Sequence, residues 1–394
     1  MGLCNSKNEI DMADTLPNQG INYYHKGELK PALQCFRTAL AIQEREAPNS
    51  LTAATSYNNI GRVLSNQGDL EGALKEYRKA LQIKEREAPN SLTVATSYNN
   101  IGAVLWNQGD LEGALKEIRK ALQIREREAP NSLTVATSYN NIGLVLFDQG
   151  DLERALKEFR KTLEIREREA PNSLTAATSH NNIGLVLSDQ GDLEGALKEF
   201  RKALEIRERE APNSLTVATS YNNIGTVLFD QGDLEGALKE YRKALEIREL
   251  EAPNSLTVAT SYNNIGLVLS DQGDLEGALK EYRKALEIKE REAPNSLTLA
   301  TSYNNIGLVL NDQGDKEGAL KEYRKALKIK EREAPIWRES TWCPVADMND
   351  WEEFWSSHMR GLDEHFQGPR GERCWYDVDS GIPSANTMGF FMCI

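Results

Sequence analysis

Long apolar runs are absent from this sequence. No stretch of about 18 apolar residues occurs, so we expect no helix that spans a membrane. Cysteine is scarce: five occur in 394 residues, and none falls between residues 50 and 335. Such wide spacing excludes a disulfide framework and indicates a reducing intracellular compartment. Positive charge is in deficit, with 47 basic against 60 acidic residues and a net charge of −13. Such a surface repels phosphate backbones, which disfavours nucleic acid as a partner.

The groups that active-site chemistry requires are also scarce. Only one histidine, His180, lies between residues 50 and 335, at a place where the surrounding pattern otherwise has tyrosine. No GxxxxGKS or GxxxxGKT loop is present that would hold nucleotide phosphates. The first residues, MGLCNSKNEI, lack the apolar region of a secretory signal. We therefore predict a protein that is not an enzyme and that needs no cofactor or metal.

One phrase recurs at a fixed interval. SLTVATSYNNIG returns with small changes every 41 residues, with its leucine at Leu51, Leu92, Leu133, Leu174, Leu215, Leu256 and Leu297. Seven near-identical copies therefore occupy residues 50–335, after a degenerate first copy at 13–49 and an arm at 1–12. Residues 336–394 form a tryptophan-rich tail. A fixed period of this length is typical of a solenoid of stacked units.

One copy, residues 256–296, predicts two helices joined by a tight turn. Ser255 is placed to cap the first helix, which a Gln-Gly-Asp turn ends. Asp274 is placed to cap a second helix that runs from about Leu275 to Glu292, where the following Ala-Pro-Asn breaks it. Apolar side chains at helical spacing give each helix one buried face, and charged residues fill the other face. A pair cannot bury its apolar face alone, so successive pairs must stack.

The spacing of seven residues in this copy resembles the tetratricopeptide repeat signature: Tyr262, Ile265, Gly266, Leu269, Ala278, Tyr282 and Ala285. The segments ATSYNNIGLVL and ALEIKERE resemble the kinesin light chain branch of that superfamily, over the repeat module only. The resemblance implies an all-α fold, a right-handed superhelical solenoid of about eight helix-turn-helix repeats with a 41-residue period. It also implies a scaffold for other proteins, although such arrays serve many adaptors.

The resemblance further implies that the first helix of each repeat lines a concave groove. Counted from the alanine of ATSYNN, the groove positions are the second, fifth, ninth and twelfth residues. The fifth is asparagine in every complete copy: Asn58, Asn99, Asn140, Asn181, Asn222, Asn263 and Asn304. A carboxamide donates and accepts hydrogen bonds, so this ladder can pair with the backbone of an extended peptide. The alternative is structural: the asparagines cap helices, bridge neighbouring repeats, or were simply preserved by duplication.

The ninth and twelfth groove positions differ between copies and are often apolar. The ninth is leucine at Leu144, Leu185, Leu267 and Leu308, and the twelfth is aromatic at Trp106, Phe147 and Phe229. Apolar groups at positions expected to be exposed predict pockets for ligand side chains, with drift at surface sites as the alternative. Only Arg62 is basic among these positions, which favours a neutral or basic, partly apolar peptide over an acidic one.

The two ends carry separate signals. Gly2 with Ser6 matches the N-myristoylation pattern, and Cys4 is placed to take a second acyl chain. In the tail, Asp350 and Glu353 mark a helix start, and apolar residues follow at helical spacing over 350–366. We predict that this segment caps the open face of the last repeat, with binding of a partner as the alternative.

The predicted function is a scaffold that binds extended peptide segments of other proteins in its groove. Two alternatives stay open: an adaptor tethered to a membrane through an acylated Gly2 and Cys4, and a cargo adaptor of the kinesin light chain type. The predicted location is the cytoplasm, with peripheral membrane association if the N-terminus is acylated.

Overall fold

Helices account for all the regular secondary structure among the residues that the computed structural model describes, which are 15–294 and 296–333. A first helix, α1, covers residues 15–25. The helices that follow in this part of the chain are α2 (Leu29–Glu46), α3 (Leu51–Asn66), α4 (Leu70–Glu87), α5 (Leu92–Asn107), α6 (Leu111–Glu128), α7 (Leu133–Asp148), α8 (Leu152–Glu169), α9 (Leu174–Asp189), α10 (Leu193–Glu210), α11 (Leu215–Asp230), α12 (Leu234–Glu251), α13 (Leu256–Asp271), α14 (Leu275–Glu292), α15 (Leu297–Asp312) and α16 (Lys316–Glu333). Odd-numbered helices are the first helices of the repeats, and even-numbered helices are the second.

The structure can be compared with the prediction of no membrane-spanning helix, but not with the predictions for the two ends of the chain. None of the helices in the described ranges is long and apolar enough to cross a bilayer. The arm at 1–12, with Gly2 and Cys4, and the tail at 336–394, with its segment 350–366, lie outside the described residues.

Helix starts and stops follow from a few capping residues. Ser255 Oγ accepts a hydrogen bond from the backbone N–H of Val258 at 3.4 Å and begins α13. Asp274 Oδ1 accepts from the N–H of Gly277 at 2.9 Å and begins α14, as predicted. Between these two helices Gly273 has φ of +82°, a conformation that glycine adopts without steric cost.

Each pair is held by a glycine of the first helix that lies against a large side chain of the second. A Cβ atom built on Gly266 would lie 2.8 Å from ring carbons of Tyr282, so only glycine lets the two backbones approach this closely. Ala278 and Ala285 are fully buried beside that ring, as their spacing predicts. The same contact recurs in Gly20–Phe36, Gly61–Tyr77, Gly102–Ile118, Gly143–Phe159, Gly184–Phe200, Gly225–Tyr241 and Gly307–Tyr323.

The chain divides into two compact units, which separate between Pro171 and Asn172. The first contains α1–α8 and the second α9–α16, four helix pairs in each. Within the first unit, Leu81 packs against Val94 and Ala95 of the next repeat. Within the second unit, Leu245 packs in the same way against Val258 and Ala259. Each unit is therefore a stack of helix pairs, which confirms the predicted all-α repeat architecture; the handedness of the superhelix stays a prediction.

Candidate peptide-binding face

The predicted groove positions lie on one face of the first helices, here called the first-helix face. It carries the second, fifth, ninth and twelfth residues of α3, α5 and α7 in the first unit, and of α9, α11, α13 and α15 in the second. The threonine at the second position is satisfied inside its own helix: Thr260 Oγ1 donates to the carbonyl of Leu256 at 3.0 Å. The fifth-position asparagine is the other polar residue that every complete copy places on this face.

The fifth-position asparagine bridges consecutive repeats through its oxygen. In the second unit, Asn222 Oδ1 accepts a hydrogen bond at 3.0 Å from Nδ2 of Asn264, the sixth-position asparagine of the next repeat. The same bond, also at 3.0 Å, joins Asn100 to Asn58 and Asn141 to Asn99 in the first unit, and Asn223 to Asn181 and Asn305 to Asn263 in the second. The oxygen atoms of these asparagines therefore have the structural role, a bridge between neighbouring repeats, that was the alternative to peptide binding.

The nitrogen atoms of the same asparagines are differently placed. Nδ2 of Asn58, Asn99, Asn222 and Asn263 donates to no residue that the structure describes, and none of these amides is buried without a partner. All four side chains are half-buried, whereas Asn140 and Asn181 are buried. Each of these four carboxamides is therefore fixed by its oxygen and presents its N–H groups to solvent, so a ligand would meet a row of donors. Peptide contact itself stays a prediction.

A basic residue of the second helix fixes the same asparagine. Arg248 Nη1 lies 2.7 Å from Ser261 Oγ and 3.2 Å from the carbonyl of Thr257, both in the following repeat. It also lies 3.5 Å from Oδ1 of Asn222 in its own repeat. The equivalent bonds to serine are Lys84–Ser97 and Arg125–Ser138 in the first unit, and Arg207–Ser220 and Lys289–Ser302 in the second. All five cations join their helix to the next repeat, and Arg207 and Arg248 also reach an asparagine of their own repeat, so that each of these two ties three helices together.

These cations correct one sequence-based interpretation, and they bear on a second, the charge of the ligand, which stays a prediction. Charged side chains of the second helix were expected on its solvent face, but Arg248 is only 7% exposed. Burial lowers the pKa of Arg248 to about 10, and it also lowers the pKa of Lys84 and of Arg125. Positive charge therefore lies directly behind the asparagines, so a survey of first-helix residues alone does not settle the charge of the ligand. The sequence did contain a signal for this burial: Lys or Arg follows the same isoleucine in each of the seven near-identical copies.

The apolar groove residues lie on the face with different degrees of exposure. In the second unit Leu267 is 39% and Leu308 is 42% exposed, while Leu185 and Phe229 are half-buried. In the first unit Leu144, Phe147 and Trp106 are half-buried, and Trp106 Nε1 donates to Asp148 Oδ2 at 2.6 Å. The indole N–H thus already has a protein partner and leaves only the ring for a ligand. Arg62 is also engaged, because its guanidinium stacks 4.4 Å from the ring centroid of Tyr24.

A tyrosine lies at the edge of the first-helix face in most repeats. The sequence pattern places this residue on the buried apolar face of its helix, but its hydroxyl group is hydrogen-bonded to a glutamate. Tyr262 donates a short hydrogen bond to Glu249 of the preceding repeat, and Lys284 Nζ lies 4.8 Å from its ring centroid. Lys284 in turn pairs with Glu281 at 2.9 Å. Burial, and then the bond to the glutamate, raises the pKa of Tyr262. His180, which replaces this tyrosine in one copy, lies with Nδ1 2.6 Å from Glu199 Oε2 and is buried.

Comparison with known proteins identifies the repeats. The profile of the tetratricopeptide repeat family matches residues 11–86, 93–168, 175–250 and 257–332. The chain belongs to this family. Tetratricopeptide arrays are generally non-catalytic surfaces for binding other proteins. A comparison with curated proteins found no match.

Several solved structures are similar to this tetratricopeptide chain, and those with a TM-score above 0.5 share its fold. A signal transduction ATPase with a tetratricopeptide sensor from Pyrococcus horikoshii is 16% identical, with a TM-score of 0.61 over 90% of this chain and 50% of that one. BtubC (BKLC) from P. vanneervenii is 19% identical, with a TM-score of 0.51 over 61% of this chain and 96% of that one. Kinesin light chain-like repeats from Podosopora anserina are 12% identical, with a TM-score of 0.45 over 50% of this chain and 94% of that one. The superfamily prediction is confirmed as a repeat module, and a cargo role stays a prediction.

Proposed function

We propose that this tetratricopeptide chain is a non-catalytic scaffold that binds extended peptide segments of other proteins on its first-helix face. The observation that carries the proposal is the row of asparagines whose oxygens are occupied and whose N–H groups are open. Asn58 and Asn99 supply it in the first unit, and Asn222 and Asn263 in the second. Carbonyl oxygens of a peptide backbone are the acceptors that such donors fit.

The surroundings of Asn222 strengthen it as a donor. Asn222 Oδ1 faces two N–H groups, Nδ2 of Asn264 at 3.0 Å and Nη1 of Arg248 at 3.5 Å. Hydrogen bonds to the oxygen polarise a carboxamide and make its N–H groups better donors. They also hold the side chain in one orientation, so a ligand does not have to order it on binding.

Selectivity between peptides comes from the ninth and twelfth positions. Leu267 and Leu308 are exposed leucines on the first-helix face of the second unit, whereas Leu269 on the opposite side of the same helix as Leu267 is buried. Burying apolar groups of this kind stabilises a complex by about 25 cal/mol per Å². Because these positions differ from copy to copy, each repeat favours a different ligand side chain while the asparagines hold any backbone.

Two isosteric substitutions separate the donor from the bridge. Asn222→Asp with Asn263→Asp keeps an oxygen to accept each bridging hydrogen bond but removes the Nδ2 donors. Peptides are selected on the intact chain from a displayed library of short linear peptides, and their affinities are measured by fluorescence polarisation. Two lost hydrogen bonds of about 0.5–1.5 kcal/mol each predict roughly five- to a hundred-fold weaker binding for every selected peptide.

The matched control removes the bridge and leaves the donor. Asn264→Ala with Asn305→Ala takes away the groups that donate to Asn222 and Asn263. We expect a lower thermal midpoint with most of the peptide affinity retained. Equal binding of the selected peptides by the aspartate variant, or failure to select any peptide, would show that the asparagines serve only the junctions between repeats.

A further inference from the structure

The last described helix, α16, exposes a surface that the preceding repeats of its unit bury or half-bury. Leu320 is 39% exposed, whereas its counterpart one repeat earlier, Leu279, is 8% exposed. Leu327 is 40% exposed, whereas its counterpart Leu286 packs against the first helix of the next repeat. Tyr323 is half-buried, although the equivalent Tyr282 is 2% exposed. We call the surface made by Leu320, Tyr323, Leu327 and Lys330 the terminal face.

Within the part of the chain that the structure describes, Lys330 lacks the hydrogen-bond acceptors that the next repeat supplies to the equivalent lysine. Its counterpart Lys289 is buried and donates to Ser302 Oγ at 2.9 Å and to the carbonyl of Thr298 at 3.1 Å, both in the next repeat. Lys330 is exposed and has no such acceptor among the described residues. The terminal face thus offers an apolar surface with one cation beside it, and its complement is an apolar helix that carries acceptors.

The charge of α16 differs from that of the helices before it. It carries seven basic and four acidic residues, whereas α14 carries five of each. Part of this excess comes from Lys328, which stands where α14 has Glu287, and from Lys316, which stands where α14 has Leu275. Within the second unit the repeat pattern is therefore altered towards positive charge only in α16, the last helix that the structure describes.

The sequence that follows has the opposite character. Residues 350–366 contain five acidic residues and one basic residue, and their apolar residues follow helical spacing: Trp351, Phe354, Trp355, Met359, Leu362 and Phe366. Only residues 334–349 separate this segment from α16. A connection of that length spans at most roughly 55 Å when fully extended, and a tether this short gives a local concentration on the order of millimolar.

We propose that the segment 350–366 of the same chain docks on the terminal face, with its apolar side covering Leu320 and Leu327 and its carboxylates meeting Lys328 and Lys330. Apolar burial and opposite charge both favour this segment over a first helix from a second copy of the chain. Such a helix, for example α15, carries no charge over its first turns and would not pair with the lysines. The array is then closed by its own acidic, tryptophan-rich segment.

Hydrogen exchange of the full chain, read by mass spectrometry, tests the docking. We expect protected amides in 350–366, and at least about tenfold loss of that protection in Leu320→Glu with Leu327→Glu. Leu250→Glu is the control, because Leu250 is already 73% exposed and lies on another helix. Both variants must keep the helical circular dichroism of the parent.

A charge exchange tests the electrostatic part. Lys328→Glu with Lys330→Glu should raise exchange in 350–366, and adding Glu352→Lys with Glu353→Lys should restore protection. The proposal is overturned if the segment exchanges like an unstructured chain, or if the Leu320→Glu, Leu327→Glu variant leaves its protection unchanged. Protection that rises with protein concentration would assign the face to a second copy instead.

Discussion

Asparagine meets three different requirements in each repeat. Asn213 adopts φ of 61° in the loop between α10 and α11, a left-handed conformation that asparagine tolerates better than most residues. Asn264 donates the hydrogen bond that joins consecutive repeats, and Asn222 accepts it while keeping its own N–H groups open. The residue type alone does not distinguish these tasks, so the sequence predicted the ladder but left its role undecided. The bridging role of Asn222 depends on Asn264 in the next repeat, and this pairing is apparent only once the helices are stacked.

One copy lacks an arginine that forms a hydrogen bond between repeats in five other copies. Five arginines donate from Nη2 to the carbonyl of the loop asparagine 37 residues earlier, at 2.8–3.5 Å: Arg86, Arg127, Arg168, Arg209 and Arg291. Leu250 occupies this place in α12 and cannot donate to Asn213. We predict that Leu250→Arg raises the free energy of unfolding by about 0.5–1 kcal/mol, as one exposed hydrogen bond would. Denaturant unfolding measures this, and Leu250→Ala controls for removal of the exposed leucine. An equal gain in the alanine variant would contradict the account.

At the scale of single elements, helix limits were predictable and buried charges were not. The caps Ser255 and Asp274 predicted a second helix from about Leu275 to Glu292, and α14 runs over these residues. Arg248 escaped prediction because helical spacing alone places it at the border of the charged face. Its burial depends on Ser261 and on the carbonyl of Thr257, which belong to the following repeat. Local pattern thus determines where an element begins, and stacking determines which of its polar groups are buried.

The tyrosine at the edge of the first-helix face makes the junctions sensitive to alkaline pH. Burial and the hydrogen bond to Glu85 raise the pKa of Tyr98 to about 12, and the same two causes raise that of Tyr221 and Tyr262. Between about pH 10 and 12 the unfolded chain releases these protons before the folded chain does, so stability is lost as the pH rises. We predict a thermal midpoint that falls above about pH 10. In Tyr221→Phe with Tyr262→Phe the fall should be shallower; an unchanged slope would assign it to other groups, such as lysines.

At the scale of the whole molecule, repetition is the feature that the sequence displays most directly. The interval between Leu256 and Leu297 is 41 residues, and each such interval folds as one helix pair within its unit. Contacts within a unit run from each pair to the next, so stability should be close to a sum of pair and neighbour contributions. The division between Pro171 and Asn172 could not be predicted, because the sequence there follows the same pattern as at every other junction.

Removing one repeat tests this additivity. Deletion of residues 256–296 joins α12 to α15 with the same loop sequence that precedes every first helix. We predict a folded chain with unchanged helical circular dichroism per residue and a lower free energy of unfolding. Deletion of α13 alone, which leaves α14 without its partner, should be far more damaging. A complete loss of helical signal after the 41-residue deletion would contradict the one-dimensional account.

The central claim is that fifth-position asparagines donate hydrogen bonds to a bound peptide, and side-chain amide NMR observes those donors directly. The Nδ2 signals of Asn222, Asn263, Asn264 and Asn305 are assigned by comparison with single Asn→Asp variants. On addition of a selected peptide, we predict that the Nδ2 protons of Asn222 and Asn263 shift and exchange more slowly with water. The protons of Asn264 and Asn305, which already bond to the preceding repeat, should stay nearly unchanged. Saturating peptide that leaves the Asn222 and Asn263 signals unmoved would contradict the account.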